Sequence, residues 1–312
     1  MGKSSINRVK SEKYRELSQV YYRQQVAYGI SEKSSRIRAL SVNEFLCWIE
    51  QQQVERLIQV DRAMIRDYQD YLSNRENRVT GGKLSRRRVY RLLQDISLFF
   101  EMLYRMGEIT DQPFEHIVLQ CKEPYPERMV LSVQEVTKIY ESTINLTEQA
   151  LLCLGYGCGL RTKEIERCNV EDLQLKERIL TVERGKGNKR RVIPLQEHIM
   201  EVLRDYLRTE RVIMSHREGY RATEKGLLLN QRGSRLRAHS YNRMLSIIIE
   251  RSEDETLQSK TIKMHTLRHS IATHLLAGGM PVEQVRSFLG HSQLETTQIY
   301  THIVKEQLEP LL

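Results

Sequence analysis

The sequence predicts a mainly α-helical protein of two domains, the second carrying a small β-hairpin. Three observations lead there. The first 120 residues hold capped stretches with helical apolar spacing and no strand-like alternation. The segment CKEPYPER, Cys121 to Arg128, sets Pro124 and Pro126 among charged neighbours and breaks any helix. Beyond it only two short stretches alternate as strands do, and a glycine-rich turn joins them.

Taken in order, Val9 to Ala27 mixes tyrosines with charges and is expected to be helical. Ser41 followed by Glu44 makes a capping box ahead of VNEFLCWIEQQ, whose Phe45, Leu46, Trp48 and Ile49 form an apolar face. A further helix spans Asp61 to Leu72, with Ala63, Met64, Ile65, Tyr68 and Leu72 available to a core. The longest runs from Leu84 to Met106 and stops at Gly107. These elements make a domain over residues 1–120, with a linker at 121–129 and a second domain at 130–312.

Ser132 and Glu135 form the capping box that starts the second domain. Ile179 to Glu183 and Arg190 to Leu195 are the hairpin strands, and Gly185, Gly187 and Asn188 their turn. Gly278 and Gly279 close one helix and Pro281 opens the next. Gly290 closes that helix, and Ser292 with Glu295 caps a last one carrying Tyr300. No internal repeat or low-complexity tract is present.

At 312 residues two domains are expected, and 40% hydrophobic with 29% charged residues suits a globular chain that buries its own core. Forty-nine Lys and Arg against forty Asp and Glu leave a formal charge of +9, which favours a polyanionic partner. Cys47, Cys121, Cys153, Cys158 and Cys168 are odd in number and contain no Cys-x-x-Cys pair. Free thiols in a reducing cytoplasm are expected, and buried thiols rather than a zinc site at Cys158 and Cys168. MGKSSINRVK lacks an apolar signal core, and no stretch approaches the roughly 18 apolar residues of a membrane span, so a cytoplasmic protein is the expectation.

The chemistry concentrates near the C-terminus, in HTLRH, LGH and IYTH, which carry His265, Arg268, His291 and Tyr300. Two imidazoles, a fixed cation and a phenol suit attack on a phosphodiester. A phenol of pKa about 10 needs a neighbour to take or polarise its proton. Charge gathering on the non-bridging oxygens is stabilised by guanidinium groups. Arg161 in GCGLRTKEIE offers a second guanidinium, and RGKGNKRRVIP offers Lys186. Read alone, Arg161 is better explained by helical pairing with Glu164 or Glu166. His265 and Arg268 stand three apart, on one helical face.

Arg161, Lys186, His265, Arg268, His291 and Tyr300, in this order and spacing, resemble the six active-site positions of the tyrosine recombinase (phage integrase) family. The stretch from His265 to His302 is similar to its Xer-type members. The likeness covers the chain from about Leu131 onward and more loosely the part before it. The resemblance implies a two-domain, C-shaped DNA clamp: a helical N-terminal core-binding domain and a mixed α/β catalytic domain. It implies Tyr300 as nucleophile, nine residues after His291, with Arg161 and Arg268 on the scissile phosphate and Glu164 orienting Arg161. His265 would polarise the tyrosine or bind a phosphate oxygen, and His291 would donate to one. Within GKGNK it favours Lys186 as proton donor to the leaving 5′ oxygen, with Lys189 the competing candidate. His269, His274 and Tyr156 read as packing or hydrogen-bonding residues.

The function implied is site-specific cutting and rejoining of DNA through a 3′-phosphotyrosyl bond and a Holliday junction, without metal or cofactor. Its partner would be double-stranded DNA carrying an inverted-repeat core site, bound by a homotetramer on paired sites, with a second recombinase an open possibility. DNA contacts are expected from Lys83, Arg86, Arg87 and Arg91 on the long N-terminal helix, although a solvated face explains them equally. Lys189, Arg190, Arg191 and Arg235 are the expected contacts from the second domain. The tail IVKEQLEPLL could dock on a neighbouring protomer or pack on its own domain. The first 30 residues and Thr209 to Thr223 are longer than the compact Xer pattern needs, which leaves chromosomal, phage, transposon and invertase roles open. A type IB topoisomerase and a non-catalytic DNA-binding accessory protein are the competing classes.

Overall fold

Serine and aspartate caps decide where the N-terminal helices begin. In the computed structural model, which describes residues 9–77, 80–115, 117, 119, 128–182 and 190–290, Ser11 accepts from the Tyr14 N–H and starts α1, Glu12–Ala27. Ser31 starts α2, Glu32–Gln51, Asp61 starts α3, Arg62–Asn74, and Ser85 starts α4, Arg86–Arg105. Each side-chain oxygen satisfies a backbone N–H that the first helical turn leaves without a partner. Gly107, at φ +74, then ends α4 in the left-handed conformation.

Ser41 is not the cap that its spacing to Glu44 suggests. It lies inside α2, buried, where its single hydroxyl proton is shared between the Ile37 carbonyl at 3.2 Å and the Asp95 carboxylate at 2.8 Å. The helix continues through it because the i−4 carbonyl and a partner on α4 satisfy its polar atom. Val89, Leu92, Ile96, Phe99 and Leu103 of α4 recur at three- and four-residue steps and are all buried. Their burial stabilises by at most about 1.5–3 kcal/mol each. Phe45 meets Tyr68 edge-on at 4.9 Å and Phe100 at 5.7 Å.

Contacts divide the chain into two units, Met1–Tyr125 and Pro126–Leu312. The second opens with the capping box of Ser132 and Glu135 at the start of α5, Val133–Glu141. Then follow α6, Leu146–Leu152, a π-turn over Cys153–Gly157, and α7, Thr162–Arg167. A three-stranded antiparallel sheet runs β1, Leu173–Gln174, β2, Ile179–Val182, and β3, Arg191–Pro194. Both expected strands are present, the second slightly shorter than read, and β1 is additional; Glu183, read as the end of the first, lies outside the described residues. The register pairs Val182 with Arg191 and Leu180 with Ile193, whose side chains are buried. The turn between them, with Lys186 and Lys189, lies outside the described residues.

The helices α8, Glu197–Arg208, α9, Glu210–Ser215, α10, Ala238–Arg251, and α11, Glu255–Ser259, precede α12, Met264–Ala277, and α13, Val282–Leu289. Leu151, Leu154, Ile165, Leu203, Tyr206, Leu245 and Leu267 form its core with the sheet. Gly279 at φ +86 and Gly290 at φ +65 end α12 and α13, as their positions suggest, although Pro281 is the N-cap of α13. The final helix expected around Tyr300 lies outside the described residues.

Candidate active site

Glu164 organises the site. It sits in α7, buried, three residues after Arg161, the N-cap of that helix. The Arg161 backbone N–H donates to Glu164 Oε2 at 2.9 Å and its Nη1 to Oε1 at 2.7 Å. Arg191, the first residue of β3, donates from Nη1 to Oε1 at 3.1 Å and from Nη2 to Oε2 at 2.7 Å. Arg268 of α12 brings Nη1 within 3.8 Å of Oε2. Burial would push this carboxyl up, but the hydrogen bonds and charge of Arg191, followed by those of Arg161, hold it down at about 2. Three guanidiniums thus face one carboxylate in a largely buried cluster.

The same arginines end α13. The helix leaves its last carbonyls without intrahelical partners. Arg191 Nε donates to the Phe288 carbonyl at 3.0 Å, Arg268 Nη2 to that of Leu289 at 2.6 Å, and Arg161 Nη2 to that of Gly290 at 3.2 Å. Three successive carbonyls are therefore capped by three arginines from three elements, each cation also favourably placed at the negative end of the helix. Arg268 donates in addition to the carbonyl of Gly159, in the loop leading to Arg161. Gly290 is needed twice over. Its φ is left-handed, and a Cβ there would come within 2.9 Å of Arg191 Cδ and Nη1.

His265 lies on the first turn of α12 and is exposed, while Arg268, one turn on, is buried. Desolvation, then the charges of Arg268 and Arg161, lower the pKa of His265 below the usual histidine value, so the ring is neutral near pH 7. His274 and Tyr156 bond to each other at 2.7 Å. Cys158 and Cys168 are buried thiols, with burial pushing Cys168 up to about 12. Among the described residues no group of three or more His, Cys, Asp or Glu is gathered as for a metal ion, and no helix is long and apolar enough to cross a membrane.

Arg161, Glu164, His265 and Arg268 are thus brought to one place; Lys186, Lys189, His291 and Tyr300 lie outside the described residues. Two expected DNA contacts turn inward instead. Arg191 spends its guanidinium on Glu164 and Phe288. Arg235 is half-buried, donating to Glu224 at 3.2 Å, to Asn169 Oδ1 at 2.7 Å and to the Glu166 carbonyl at 2.8 Å. Runs of basic residues did not separate these from Arg190, which is exposed. In the first unit Lys83, Arg86 and Arg91 are exposed and Arg87 is half-buried. The inward role of Arg191 had one sequence signal, its strand parity. It stands two residues before buried Ile193, on the same face of the strand, and pairs opposite buried Val182.

The profile of the phage integrase family matches residues 129–307. The tyrosine recombinase XerC of Listeria innocua is 30% identical over 285 residues, covering 89% of this chain and 90% of that protein. XerD of the same organism is 34% identical over 230 residues, covering 72% and 74%. In fold, the chain is similar to the XerH site-specific recombinase bound to palindromic difH substrate in a post-cleavage complex. The TM-score is 0.71 at 22% identity, over 98% of this chain and 90% of that one. The chain belongs to the phage integrase family and is a Xer-like tyrosine recombinase, a DNA strand-transferring enzyme of site-specific recombination.

Proposed function

We propose that this recombinase acts on double-stranded DNA at an inverted-repeat core site. Tyr300 is the nucleophile, and Arg161, Lys186, His265, Arg268 and His291 surround the scissile phosphate. One observation carries the reading: three guanidiniums converge on the single carboxylate of Glu164. Such a concentration of guanidiniums suits the charge of a phosphodiester under attack.

The Tyr300 Oη–P bond forms as the P–O5′ bond breaks, leaving a 3′-phosphotyrosyl link and a 5′ hydroxyl. His265, neutral near pH 7, can take the phenolic proton, and the Lys186 ammonium gives one to the departing oxygen. The guanidiniums and His291 hold the non-bridging oxygens. The 5′ hydroxyl of a partner duplex then reverses the step, so the phosphotyrosyl bond conserves the energy of the cleaved link. Four protomers, with or without a second recombinase, exchange two strand pairs through a Holliday junction in the cytoplasm. Lys83, Arg86, Arg87 and Arg91 contact phosphates from the N-terminal unit, and Lys189 and Arg190 from the catalytic one.

The test is covalent trapping on sheared, nicked DNA of the source genome, with Tyr300→Phe beside the wild type. Denatured protein–DNA adducts are sequenced. Adducts at one inverted repeat, absent from the variant, are expected. A site at the replication terminus indicates chromosomal resolution, and sites at element ends indicate mobility. Adducts followed by relaxation without joining of two duplexes identify a topoisomerase, and tight binding without adducts an accessory protein.

A further inference from the structure

We propose that Arg191 is a positioning residue for strand transfer, setting the Arg161 guanidinium through Glu164 and the chain that leads to His291 through Phe288 and Gly290. The inference rests on the assignment of Arg161 and His291 made above, and adds a residue to that site which does not touch the phosphate itself.

The geometry carries it. Arg191 makes three directed contacts with two different parts of the domain. Its two Nη groups straddle the Glu164 carboxylate, and its Nε reaches the Phe288 carbonyl at the end of α13. Its stem lies against Gly290, the residue before His291, so closely that no Cβ fits there. Each Glu164 oxygen is shared between Arg191 and Arg161. With Arg191 in place, the carboxylate has one orientation, and Arg161 inherits it. Arg161 is the more accessible of the pair, with 22% of its side chain exposed against 8% for Arg191. One arginine is free to present N–H groups outward because the other is fixed inward.

Position in the chain adds a second argument. Arg191 is the first residue of β3, five residues after Lys186 in the sequence. A single planar fork therefore ties the start of β3, the α7 acid and the α13 end to one another. Lysine cannot reproduce this, since one ammonium lacks the paired parallel donors of a guanidinium. A well-packed apolar residue could fill the volume, and replacing a buried ion pair in this way can be neutral for stability. Stability alone therefore does not account for the fork; orientation does.

Among the described residues, the groups facing Glu164 are Arg161 from the start of α7, Arg191 from β3, Arg268 from α12 and the buried Cys168 thiol. Removing Arg191 takes away the largest influence holding the carboxyl down and leaves burial to push it up. Glu164 then takes up a proton more readily as pH falls, and Arg161 loses its anchor. The wild type, with its carboxyl at about 2, has no such step above pH 5.

The experiment measures single-turnover adduct formation on a nicked duplex carrying the site recovered by adduct sequencing, from pH 5 to 8. It compares wild type, Arg191→Gln, Arg191→Lys and Glu164→Gln/Arg191→Gln, with duplex affinity and thermal midpoint measured for each. Arg191→Gln is expected to slow adduct formation roughly 10- to 100-fold, as loss of a supporting partner typically does, with affinity unchanged within about threefold. Its rate should fall further towards low pH, and the double variant should lose that acid limb. Arg191→Lys should be slow without the limb; should Arg191→Gln not fold, a wild-type rate in Arg191→Lys overturns the proposal. An Arg191→Gln rate equal to wild type, or reduced by the same factor at every pH, also overturns it. Absence of adducts from the wild type overturns the site assignment and this proposal together.

Discussion

Tyr156 donates its phenolic proton to Nδ1 of His274 at 2.7 Å. The direction follows from the other ring nitrogen, Nε2, which lies 2.8 Å from the Leu131 carbonyl and must donate to it, leaving Nδ1 as acceptor. Leu131 in turn donates its N–H to Ser270 Oγ at 2.9 Å. The start of the catalytic unit is thereby fastened twice to α12, the helix bearing His265 and Arg268. Tyr156→Phe keeps the ring packing and removes the donor, which should cost about 1 kcal/mol. Urea unfolding of the full chain checks this, and an unchanged midpoint would show the bond to be idle.

Gly290→Ala should cost more than its one carbon suggests. A non-glycine residue in the left-handed region costs about 1–2 kcal/mol, and here the new methyl also meets the Arg191 guanidinium. We expect a thermal midpoint several degrees lower and a larger proportional loss of adduct formation, since the displaced arginine holds Glu164. Equal losses of the two would argue that Gly290 matters only for the helix end.

Glu210 offers a test away from the chemistry. Its carboxylate accepts from the backbone N–H groups of Leu146 and Thr147, both at 2.8 Å, and from the Thr147 hydroxyl at 2.6 Å. Capping and helix-dipole effects each contribute on the order of 1 kcal/mol. Glu210→Ala should therefore destabilise the chain by about 1–2 kcal/mol in urea while leaving the adduct rate per folded molecule unaltered. A rate loss would connect α6 to the site.

The elements themselves were largely legible in sequence, because local capping and apolar spacing declare helices. Ser132 with Glu135 shows this at its best. Ser41 with Glu44 shows its limit, since the same spacing occurs mid-helix when a distant partner, here Asp95, takes the hydroxyl. For the candidate site, residue types at family spacing named Arg161, Glu164, His265 and Arg268, which the fold gathers together. What spacing does not convey is direction. Arg190 and Arg191 are adjacent, yet Arg190 is exposed and Arg191 turns to Glu164; parity with Ile193 marks the face, but only the tertiary pairing names the partner. Likewise Arg235 stands close in sequence to Arg232 and Arg237, and of the three it is the one drawn to Asn169 and Glu224.

Histidine burial gives the molecule an acid-sensitive stability. Desolvation, then the charges of Arg128, His265 and Arg268, hold His269 down at about 4, and desolvation likewise lowers His265 and His274. In the unfolded chain these rings take up protons near pH 6.5. Between about 6.5 and 4 the unfolded state therefore binds more protons than the folded one, and stability must rise with pH across that window. Above pH 7 the histidine contribution is complete and flat. Below about 4.5 a second loss begins, as the unfolded chain takes up protons at Glu164 and Glu148 while the folded carboxyls stay charged. For Glu148, burial opposes but the Arg251 pair wins, lowering its pKa. Asp95, which burial raises despite its Ser41 bond, works in the opposite sense there and softens the slope. Urea midpoints taken from pH 8 to pH 4 should be level at first and then decline from about pH 6.5. His269→Gln should flatten that decline even if it lowers the plateau. A variant whose midpoint falls as steeply as the wild type would show that His269 is not the ring that resists its proton.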